Sequence, residues 1–392
     1  MSRGKGLAGA LSSVLSRRRV PVELKPTGEP KGAVLLSYIT KPFTLEPDDN
    51  LFTAHSNLWE CMEIARTFLD RGFSVDVIDY DNASFVPRKD YAVFIDIHSN
   101  MERLAPMLSK DCLKILHATG SHWKFQNDAE QARVDAIRAR RGASLSPRRV
   151  VPPSRAIESA DCMTLLGNEV TASTFAFAGK PIHKLHVSSP VTFPWDESKD
   201  FEAAKKRFVW FGGTGLILKG LDIVLEAFSK MPELHLTVCG PVENEKDFSR
   251  EYDKELYGTP NIKTMGMVGL MSDEFAEVRR SVGSLIYPSA SEGQSTGVVV
   301  CMHGGLIPIV SRQSGVDIDG FGIILSESSI EEVQAAARQV AARPAEEVRL
   351  TARNAWEYAR ANHTRENFSK EYRSAVDSIL GASKDHREKP QL

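Results

Sequence analysis

The stretch YPSASEGQSTGVVVCMHGGLIPIVS, residues 287–311, contains the pattern that decides the fold. It predicts a short strand, a polar loop, an apolar helix, a tight glycine turn and a second strand. Strands that alternate with helices are typical of a parallel, doubly wound sheet. The loop is rich in hydroxyl groups and leads into a helix start, where backbone N–H groups lack partners. Such a helix start is a ready site for an anion, most often phosphate.

The hydroxyl groups of this loop have two explanations. Ser295 and Thr296 are good helix caps, and taken alone they are better explained in that way. A second glycine-rich loop, FGGTGLILKG at residues 211–220, also follows a strand, opens a helix and contains Lys219. Two such loops in one half of the chain predict a diphosphate bound between them. Neither loop has the spacing of a nucleoside triphosphatase or of a dinucleotide fingerprint.

The alternation of strands and helices occurs twice along the 392 residues. A chain of this length exceeds the size of one hydrophobic core, so two domains are expected. Prolines and charges interrupt the alternation in SSPVTFPWDESKDFEAAKK, which places the boundary there. The predicted parts are a basic N-terminal tail at 1–30, a first Rossmann-like domain at 31–190, a linker at 191–206, a second Rossmann-like domain at 207–360, and a C-terminal helix and tail at 361–392, with the option that this helix crosses back to the first domain.

Composition and charge exclude several classes of protein. The formal net charge of −2 argues against a general nucleic-acid binder. The five cysteines are scattered, without a C-x-x-C pair, which predicts reduced core residues in a reducing compartment. No apolar run is long enough for a membrane-spanning helix. These features predict a cytoplasmic location.

Two basic segments raise the option of peripheral contact with the anionic inner face of a membrane. The N-terminal segment MSRGKGLAGALSSVLSRRRVPVELK has no acidic residue before Glu23. It is interpreted as a disordered tail or, more specifically, as a membrane-surface helix or an organelle transit peptide, of which the surface helix is favoured. The second segment is a run of arginines, explained as a solvated helical face or as a site for anionic lipid headgroups or a phosphorylated acceptor. This run contains Arg133, Arg138, Arg140, Arg141, Arg148, Arg149 and Arg155.

The order of motifs in the second half resembles a known family. FVWFGG and KGLDIVLEAFSKMPELHLTVCGP are followed by NIKTMGMV and then by residues 287–311. This order and spacing is similar to the nucleotide-sugar half of the retaining, family 4 (group 1) type glycosyltransferases. The first half resembles their acceptor half more diffusely. The resemblance implies an α/β fold with GT-B architecture, in which two doubly wound Rossmann-like domains face a central cleft.

The resemblance also implies roles for individual residues. It implies that Lys219 neutralises the donor diphosphate, that Glu292 lies against the donor sugar as the first glutamate of an E-x7-E motif, and that His117 contacts the transferred sugar. These three are the predicted catalytic residues, although a core histidine is the commoner explanation of His117 by itself. The predicted donor-binding residues are Gly212, Gly213, Lys219, Met267, Val268, Glu292, Gly293, Gln294, Ser295, Thr296 and Gly297. The candidate acceptor contacts are His98, Asn100 and His122.

Two positions depart from the family pattern. The family's second glutamate, which accepts hydrogen bonds from the nucleotide ribose, is replaced by Val300. After Gly212, many members have an arginine that shares the diphosphate with the lysine, and this chain has Gly213. Losing both groups should weaken donor binding by roughly a few kcal/mol unless other groups replace them.

These features predict a retaining glycosyltransferase of the hexosyltransferase type. It would move a sugar from a nucleoside diphosphate donor to a hydroxyl of a glycan, lipid-linked or small-molecule acceptor, in surface polysaccharide or glycolipid synthesis. No metal or other cofactor is expected, because a fixed cation and helix-end N–H groups stabilise the departing diphosphate. No nucleic acid is expected as a partner. Two alternatives stay open: a non-catalytic GT-B protein that binds or regulates a partner glycosyltransferase, and a nucleotide-sugar epimerase of the same fold.

Overall fold

The computed structural model describes residues 20–318 and 320–388, and this part of the chain forms two sheets flanked by helices. The strands of the first sheet are β1 Val22–Leu24, β2 Ala33–Tyr38, β3 Ser74–Asp79, β4 Val93–Asp96, β5 Leu113–Ala118, β6 Cys162–Leu166 and β7 Ile182–Leu185. The strands of the second are β8 Arg207–Phe211, β9 His235–Cys239, β10 Ile262–Gly266, β11 Ser284–Tyr287, β12 Ile307–Ser311 and β13 Ile323–Leu325.

Helices connect and cover these strands. The α-helices are α1 Ser56–Leu69, α2 Asn100–Leu104, α3 Trp123–Arg141, α4 Ala156–Ser159, α5 Glu169–Ser173, α6 Phe201–Ala204, α7 Leu221–Phe228, α8 Lys246–Glu251, α9 Asp253–Tyr257, α10 Asp273–Ser281, α11 Thr296–His303, α12 Ile330–Ala342, α13 Ala345–Asn362 and α14 Arg365–Glu388. Short 3-10 helices are Lys41–Thr44, Asn50–Thr53, Ala105–Met107, Ala176–Ala178, Val242–Asn244 and Arg312–Ser314.

The strand order reverses inside each sheet. The first sheet runs β1-β3-β2-β4-β5-β6-β7 and the second runs β10-β9-β8-β11-β12-β13. Among the described strands only β1 is antiparallel to its neighbour. A reversal opens a crevice at the carboxyl ends of two adjacent strands, where sheets of this kind bind ligands. In the second sheet this crevice lies between β8 and β11. The predicted pair of doubly wound domains is confirmed.

The central strands are buried on both faces. Every residue of β2, β11 and β12 is buried, and their sequences are nearly continuous apolar runs. Parallel strands covered by helices on both sides have this composition. Residues 298–303 of helix α11 are all buried, which explains why the sequence of this helix is mostly apolar. Its start therefore opens to the cleft while its body belongs to the core.

The last helix, α14, lies on the first domain. Arg373 in this helix forms an ion pair of 2.8 Å with the buried carboxylate of Glu63 in α1. Arg71 forms a second pair, of 2.7 Å, with Asp377. Phe368 of the same helix is fully buried. From Val20 onward the chain thus forms the first domain, then the second, and returns to the first, which ties the two domains together.

The run of arginines has a role that the sequence did not predict, because most of it joins the two domains. These side chains leave α3 and the loop after it and meet acidic or carbonyl groups of the second domain. Arg138, Arg148 and Arg155 are nevertheless exposed, and a role of the run in binding lipid headgroups stays a prediction. The contacts are Arg133 with the carbonyl of Pro288, Arg140 with Asp222 and Glu226, Arg141 with Glu251 and Glu255, and Arg148 with Asp247.

The other basic segment is the N-terminal tail. The predicted tail at 1–30 lies mostly outside the described residues, which begin at Val20. Its interpretation as a surface helix stays a prediction. Across residues 20–318 and 320–388, no helix has both the length and the apolar character needed to cross a membrane.

Candidate functional site

A polar cluster of Lys219, Tyr287 and Glu292 occupies the crevice of the second sheet. Tyr287 ends β11, Lys219 lies just before α7, and Glu292 lies in the loop before α11. The Lys219 ammonium pairs with Glu292 Oε1 and donates to the Tyr287 hydroxyl oxygen at 2.9 Å. The Tyr287 hydroxyl donates to the same carboxylate oxygen at 2.7 Å. The structure therefore brings two of the three predicted catalytic residues into direct contact.

The charges of this cluster stabilise one another. Burial by itself lowers the pKa of Lys219, but attraction to Glu292 outweighs burial and the pKa is raised above its usual value. For Glu292 burial raises the pKa, and Lys219 outweighs it so that the pKa is lowered. Both groups are therefore charged near neutral pH. Their side chains remain 12% and 17% exposed, so one edge of the pair faces the cleft.

The start of α11 lies beside this cluster and offers free donors. Ser295 is the N-cap, and its side-chain oxygen accepts from the N–H of Val298 at 3.5 Å. The N–H groups of Thr296 and Gly297 have no acceptor among the described residues, and both residues are half-buried. Free N–H groups and the positive end of the helix dipole attract anions. Ser295 therefore caps the helix, and anion binding by Thr296 and Gly297 stays a prediction.

Gly293 and Gln294 are held against the first domain. A Cβ at Gly293 would lie 2.4 Å from the carbonyl oxygen of Thr119, so this position accepts no side chain without a shift. The side-chain oxygen of Gln294 accepts from the N–H of Val187 at 2.6 Å. These two residues close the domains on each other. Within the loop before α11, Gly293 and Gln294 therefore contact the first domain, and their predicted role in donor binding stays a prediction.

The glycine-rich loop after β8 has open space at one position and none at another. A Cβ at Gly212 would lie 2.7 Å from the Trp210 ring, whereas a Cβ at Gly213 would meet no atom within 4 Å. The place of the family's arginine is therefore an open gap. After β10, on the same side of the crevice as β8, Met267 is 72% exposed, while Val268 is partly buried.

Val300 lies in an apolar cluster. It is 1% exposed and packs with Val191, Phe193 and Phe275, and Val268 packs against the same group. The side chains of this cluster are all apolar, so none of them replaces the carboxylate that the family pattern places here. A charged group at this position would be buried without a partner, which is costly. Ribose recognition through a carboxylate is absent from this part of the described chain.

His117 is placed in the core of the first domain. Its side chain is fully buried, and Nδ1 lies 2.9 Å from the Thr164 hydroxyl oxygen. The rings of Tyr38 and Tyr372 lie 5.9 and 6.0 Å from the imidazole, centroid to centroid. Burial lowers the pKa of His117 to about 4, so the ring is neutral near pH 7. This placement fits a core histidine, and the catalytic role of His117 stays a prediction.

A cavity of about 460 Å³ opens at the carboxyl ends of β4 and β5. Its lining includes His98 and His122, two of the candidate acceptor contacts, with the rings of Trp123 and Phe175. Burial lowers the pKa of both histidines. The cavity reaches the second domain at Ser121, which lines it and donates to the Glu292 carbonyl oxygen at 2.8 Å.

Asn100 differs from the other two acceptor candidates because its side chain is committed to the fold. It is 3% exposed, and its amide donates to the Ser37 hydroxyl and the Tyr80 carbonyl oxygen at 3.0 and 2.9 Å. Its side-chain oxygen accepts from Arg103. The hydrogen-bonding groups of Asn100 are thus used internally and do not face the cavity.

The arrangement places a cation, a carboxylate and free N–H groups on one wall of a cleft, opposite a cavity with two histidines. Sequence reasoning missed Tyr287 and Ser121 as members of this site. The signal for Tyr287 was its place as the last residue of an apolar strand before a polar loop. Among residues 20–318 and 320–388, no three His, Cys, Asp or Glu side chains gather as a metal site would need.

Comparisons with known proteins identify the fold. No family model and no curated protein matches the chain. Solved structures do match. Sucrose-phosphate synthase from Thermosynechococcus elongatus has a TM-score of 0.62 and 14% identity, covering 91% of this chain and 100% of its own. HepE from Anabaena, in complex with UDP and glucose, has a TM-score of 0.54 and 12% identity, covering 89% and 99%.

A third solved structure is matched over only part of its length. TarM from S. aureus, in complex with fondaparinux, alpha-GlcNAc-glycerol and UDP, has a TM-score of 0.52 and 10% identity over 71% of this chain. The present chain spans 54% of that chain, about half its length. At these identities the likeness shows the fold, which is the GT-B architecture that the sequence predicts.

Proposed function

We propose that this protein is a glycosyltransferase that uses a nucleoside diphosphate sugar as donor. The observation that carries the proposal is the Lys219–Tyr287–Glu292 cluster, which lies at the strand reversal of the second sheet beside a helix start with free N–H groups. Proteins of the same fold support it, since TarM and HepE were crystallised with UDP. The second domain would hold the donor and the first domain the acceptor.

In the proposed reaction the bond between the anomeric carbon and the diphosphate breaks, and a bond to an acceptor hydroxyl oxygen forms. Negative charge grows on the departing diphosphate. An ammonium has three donors, and Lys219 uses two of them on Glu292 and Tyr287, which leaves one for a phosphate oxygen. Lys219 and the N–H groups of Thr296 and Gly297 would thus stabilise the transition state more than the bound donor.

Glu292 has a second proposed task. Its Oε1 accepts from Lys219 and Tyr287, whereas Oε2 has no partner among the described residues. We propose that Oε2 accepts a hydrogen bond from a hydroxyl of the transferred hexose. Retention at the anomeric carbon follows from the family resemblance and belongs to the proposal. So does a balance of the diphosphate charge by protein groups without a metal ion.

The acceptor is proposed to enter the cavity of the first domain. A volume of about 460 Å³ accommodates a sugar-sized group. The Trp123 ring offers an apolar face to such a group, and His98 and His122 offer hydrogen bonds. A glycan, a lipid-linked glycan or a small molecule with a free hydroxyl fits this description. Action in surface polysaccharide or glycolipid synthesis, at the cytoplasmic face of a membrane, is proposed from the resemblance alone.

A donor screen tests the proposed function. Purified protein is melted with a panel of nucleoside diphosphate sugars, and the donor that raises Tm is then incubated with acceptors while NMR follows the anomeric proton. We expect one donor to raise Tm in wild type and to have no effect in Lys219→Ala. NMR of the product gives the anomeric configuration. The proposal is wrong if no donor and no nucleoside diphosphate raises Tm.

One observation favours a non-catalytic protein as the second candidate. Val300 places an apolar cluster where the family has a ribose-binding carboxylate. A chain that had lost catalysis would tolerate this change. Sugar transfer, or slow donor hydrolysis, that disappears in Glu292→Gln would rule out this candidate, because a regulator has no need of a carboxylate against the sugar.

A further inference from the structure

Arg149 of the first domain lies over the glycine-rich loop of the second. Its Cγ and Cδ atoms are 2.4 and 3.0 Å from the point where a Cβ at Gly215 would stand. Gly215 also has a φ of +87°, a conformation that favours glycine. Any side chain at 215 would be strained and would displace Arg149. The loop is thus shaped to receive an arginine from the opposite domain.

The backbone around Arg149 is held in place by one face of α3. The buried carboxylate of Glu130 accepts from the N–H groups of Arg148 and Arg149, at 2.8 Å each. Gln126 donates to the Arg149 carbonyl oxygen at 2.5 Å. Residues four apart on a helix share one face, so these bonds act from one side. Further bonds join Asn127 to Val151 in both directions and Trp123 to Ser154.

The guanidinium of Arg149, unlike those of Arg140, Arg141 and Arg148, has no acidic partner among the described residues. Arg140, Arg141 and Arg148 each pair with a carboxylate of the second domain. Arg149 has no ion pair among the described residues, is exposed, and lines the cavity beside the crevice. Its positive charge is also among the causes that lower the pKa of Glu292. The free cation therefore lies close to the Lys219–Glu292 pair.

The donor site requires a further cation. Glu292 balances the charge of Lys219, so the pair has no formal excess of positive charge, whereas a diphosphate is negative on both phosphates. Gly213 in the loop after β8 has no side chain to supply that cation, and a Cβ there would meet no atom within 4 Å. A guanidinium binds phosphate oxygens through two parallel hydrogen bonds, which suits this position.

We propose that Arg149 binds the donor diphosphate from the first domain, in place of a cation on the second. The inference rests on the proposed function. A diphosphate between Arg149 and Lys219 would contact both domains at once, so donor binding would also hold the cleft closed. The same phosphate chemistry could belong to an acceptor instead, and the experiment separates these two sources by leaving the acceptor out.

Calorimetric titration with UDP and other nucleoside diphosphates, without acceptor, tests the inference. The variants are Arg149→Ala, Arg149→Lys and, as a control for charge, Arg138→Ala. Arg138 belongs to the same run, but its partner is Asp135 on the same helix. We expect Kd to rise about tenfold or more in Arg149→Ala, less in Arg149→Lys, and to stay at the wild-type value in Arg138→Ala.

Each other outcome overturns a defined part of the proposal. Wild-type Kd in Arg149→Ala overturns the inference alone, and a raised acceptor KM in that variant would assign Arg149 to an acceptor anion. Failure of wild type to bind any nucleoside diphosphate overturns the proposed function and the inference together. If Arg149→Ala unfolds, Arg149→Gln keeps most of the side-chain stem and is compared with Arg149→Lys in the same titration.

Discussion

The two sheets share a reversal of strand order, yet their carboxyl edges differ in chemistry. In the second domain, Lys219, Tyr287 and Glu292 are packed into a nearly closed cluster. In the first domain, His98 and His122 line an open cavity of about 460 Å³. A closed charged cluster suits a ligand group that is always the same, such as a diphosphate. An open cavity suits an acceptor, whose shape differs from one enzyme to another.

The comparison predicts that variants in the second domain affect donor binding and stability, whereas variants in the first affect acceptor use. Lys219→Ala should have the largest effect, because it removes the cation that balances the largely buried charge of Glu292 and leaves only hydroxyl donors on that carboxylate. We expect a loss of about 3–5 kcal/mol in the free energy of unfolding, together with loss of donor binding. Urea denaturation and donor titration measure the two effects.

The double variant Lys219→Ala/Glu292→Gln is the control for the unpaired charge. It should recover part of the lost stability without recovering donor binding. The ion pair should stabilise the fold above the unfolded pKa of Glu, about 4.3, and below that of Lys, about 10.4. Its contribution is lost as pH falls through the lowered pKa of Glu292 or rises through the raised pKa of Lys219. If Lys219→Ala keeps wild-type stability and donor affinity, the assignment of the Lys219–Tyr287–Glu292 cluster to the donor site is wrong.

Val300→Glu tests the apolar side of the same domain. The new carboxylate would be buried among Val191, Phe193 and Phe275, so we expect a loss of about 3 kcal/mol or more in stability. Donor affinity should not improve. Thermal unfolding and donor titration give both values, with Val300→Ile as the apolar control. A stable variant that binds donor more tightly would show that the ribose reaches residue 300.

The variant His117→Gln tests whether the buried histidine of the first domain has a structural or a catalytic role. The variant should lose about 1–2 kcal/mol of stability through the contacts with Tyr38 and Tyr372. Unchanged kcat in the folded variant would assign His117 to the core alone. A large fall in kcat with unchanged stability would instead support the predicted catalytic role.

The pH dependence of the same pair of proteins provides a second readout. Neutral His117 stabilises the fold above the unfolded pKa of about 6.5, and this contribution is lost as pH falls through the folded pKa of about 4. Glutamine does not titrate. The stability difference between wild type and His117→Gln should therefore narrow as the pH falls from about 6.5 to about 4.

His122→Ala should have the smallest effect. This residue lines the first-domain cavity, so the acceptor KM is expected to rise roughly threefold to tenfold through loss of one hydrogen bond. Donor affinity should not change. Steady-state kinetics with each substrate varied in turn measures both. A change confined to donor affinity would contradict the assignment of the cavity to the acceptor.

The sequence predicted most of the fold from local patterns. The run AVLLSY became β2, and the helix predicted in NLWECMEIARTFLDRG is α1, from Ser56 to Leu69. The sequence pattern from Asn127 to Arg141 predicts a long polar helix, and in the structure that helix begins earlier, at Trp123. Its first turn contains few apolar residues at helical spacing, so periodicity missed it. The segment between β9 and β10 is rich in Glu, Asp and Lys, which predicts a loop, but residues 246–251 and 253–257 form two short helices that periodicity also missed.

The sequence could predict those residues of the candidate site whose positions depend only on where a strand ends. Lys219 and Glu292 follow neighbouring strands of one parallel sheet, so their side chains meet at its carboxyl edge. The environments of His117 and Asn100 were not predictable, because their partners come from distant strands and from α14. The arginine run was also not predictable, since its partners lie about a hundred residues further along the chain.

By itself, the sequence determined the two doubly wound domains, the helix start with its free N–H groups, and the lysine and glutamate of the crevice. These follow from periodicity and strand ends, which depend on residues close together in the chain. Only the tertiary structure decided that Val300 faces apolar side chains, that most of the arginine run joins the domains, and that Arg149 remains free above Gly215. Such contacts depend on how two separately folded sheets dock, and no local pattern of residues specifies that docking.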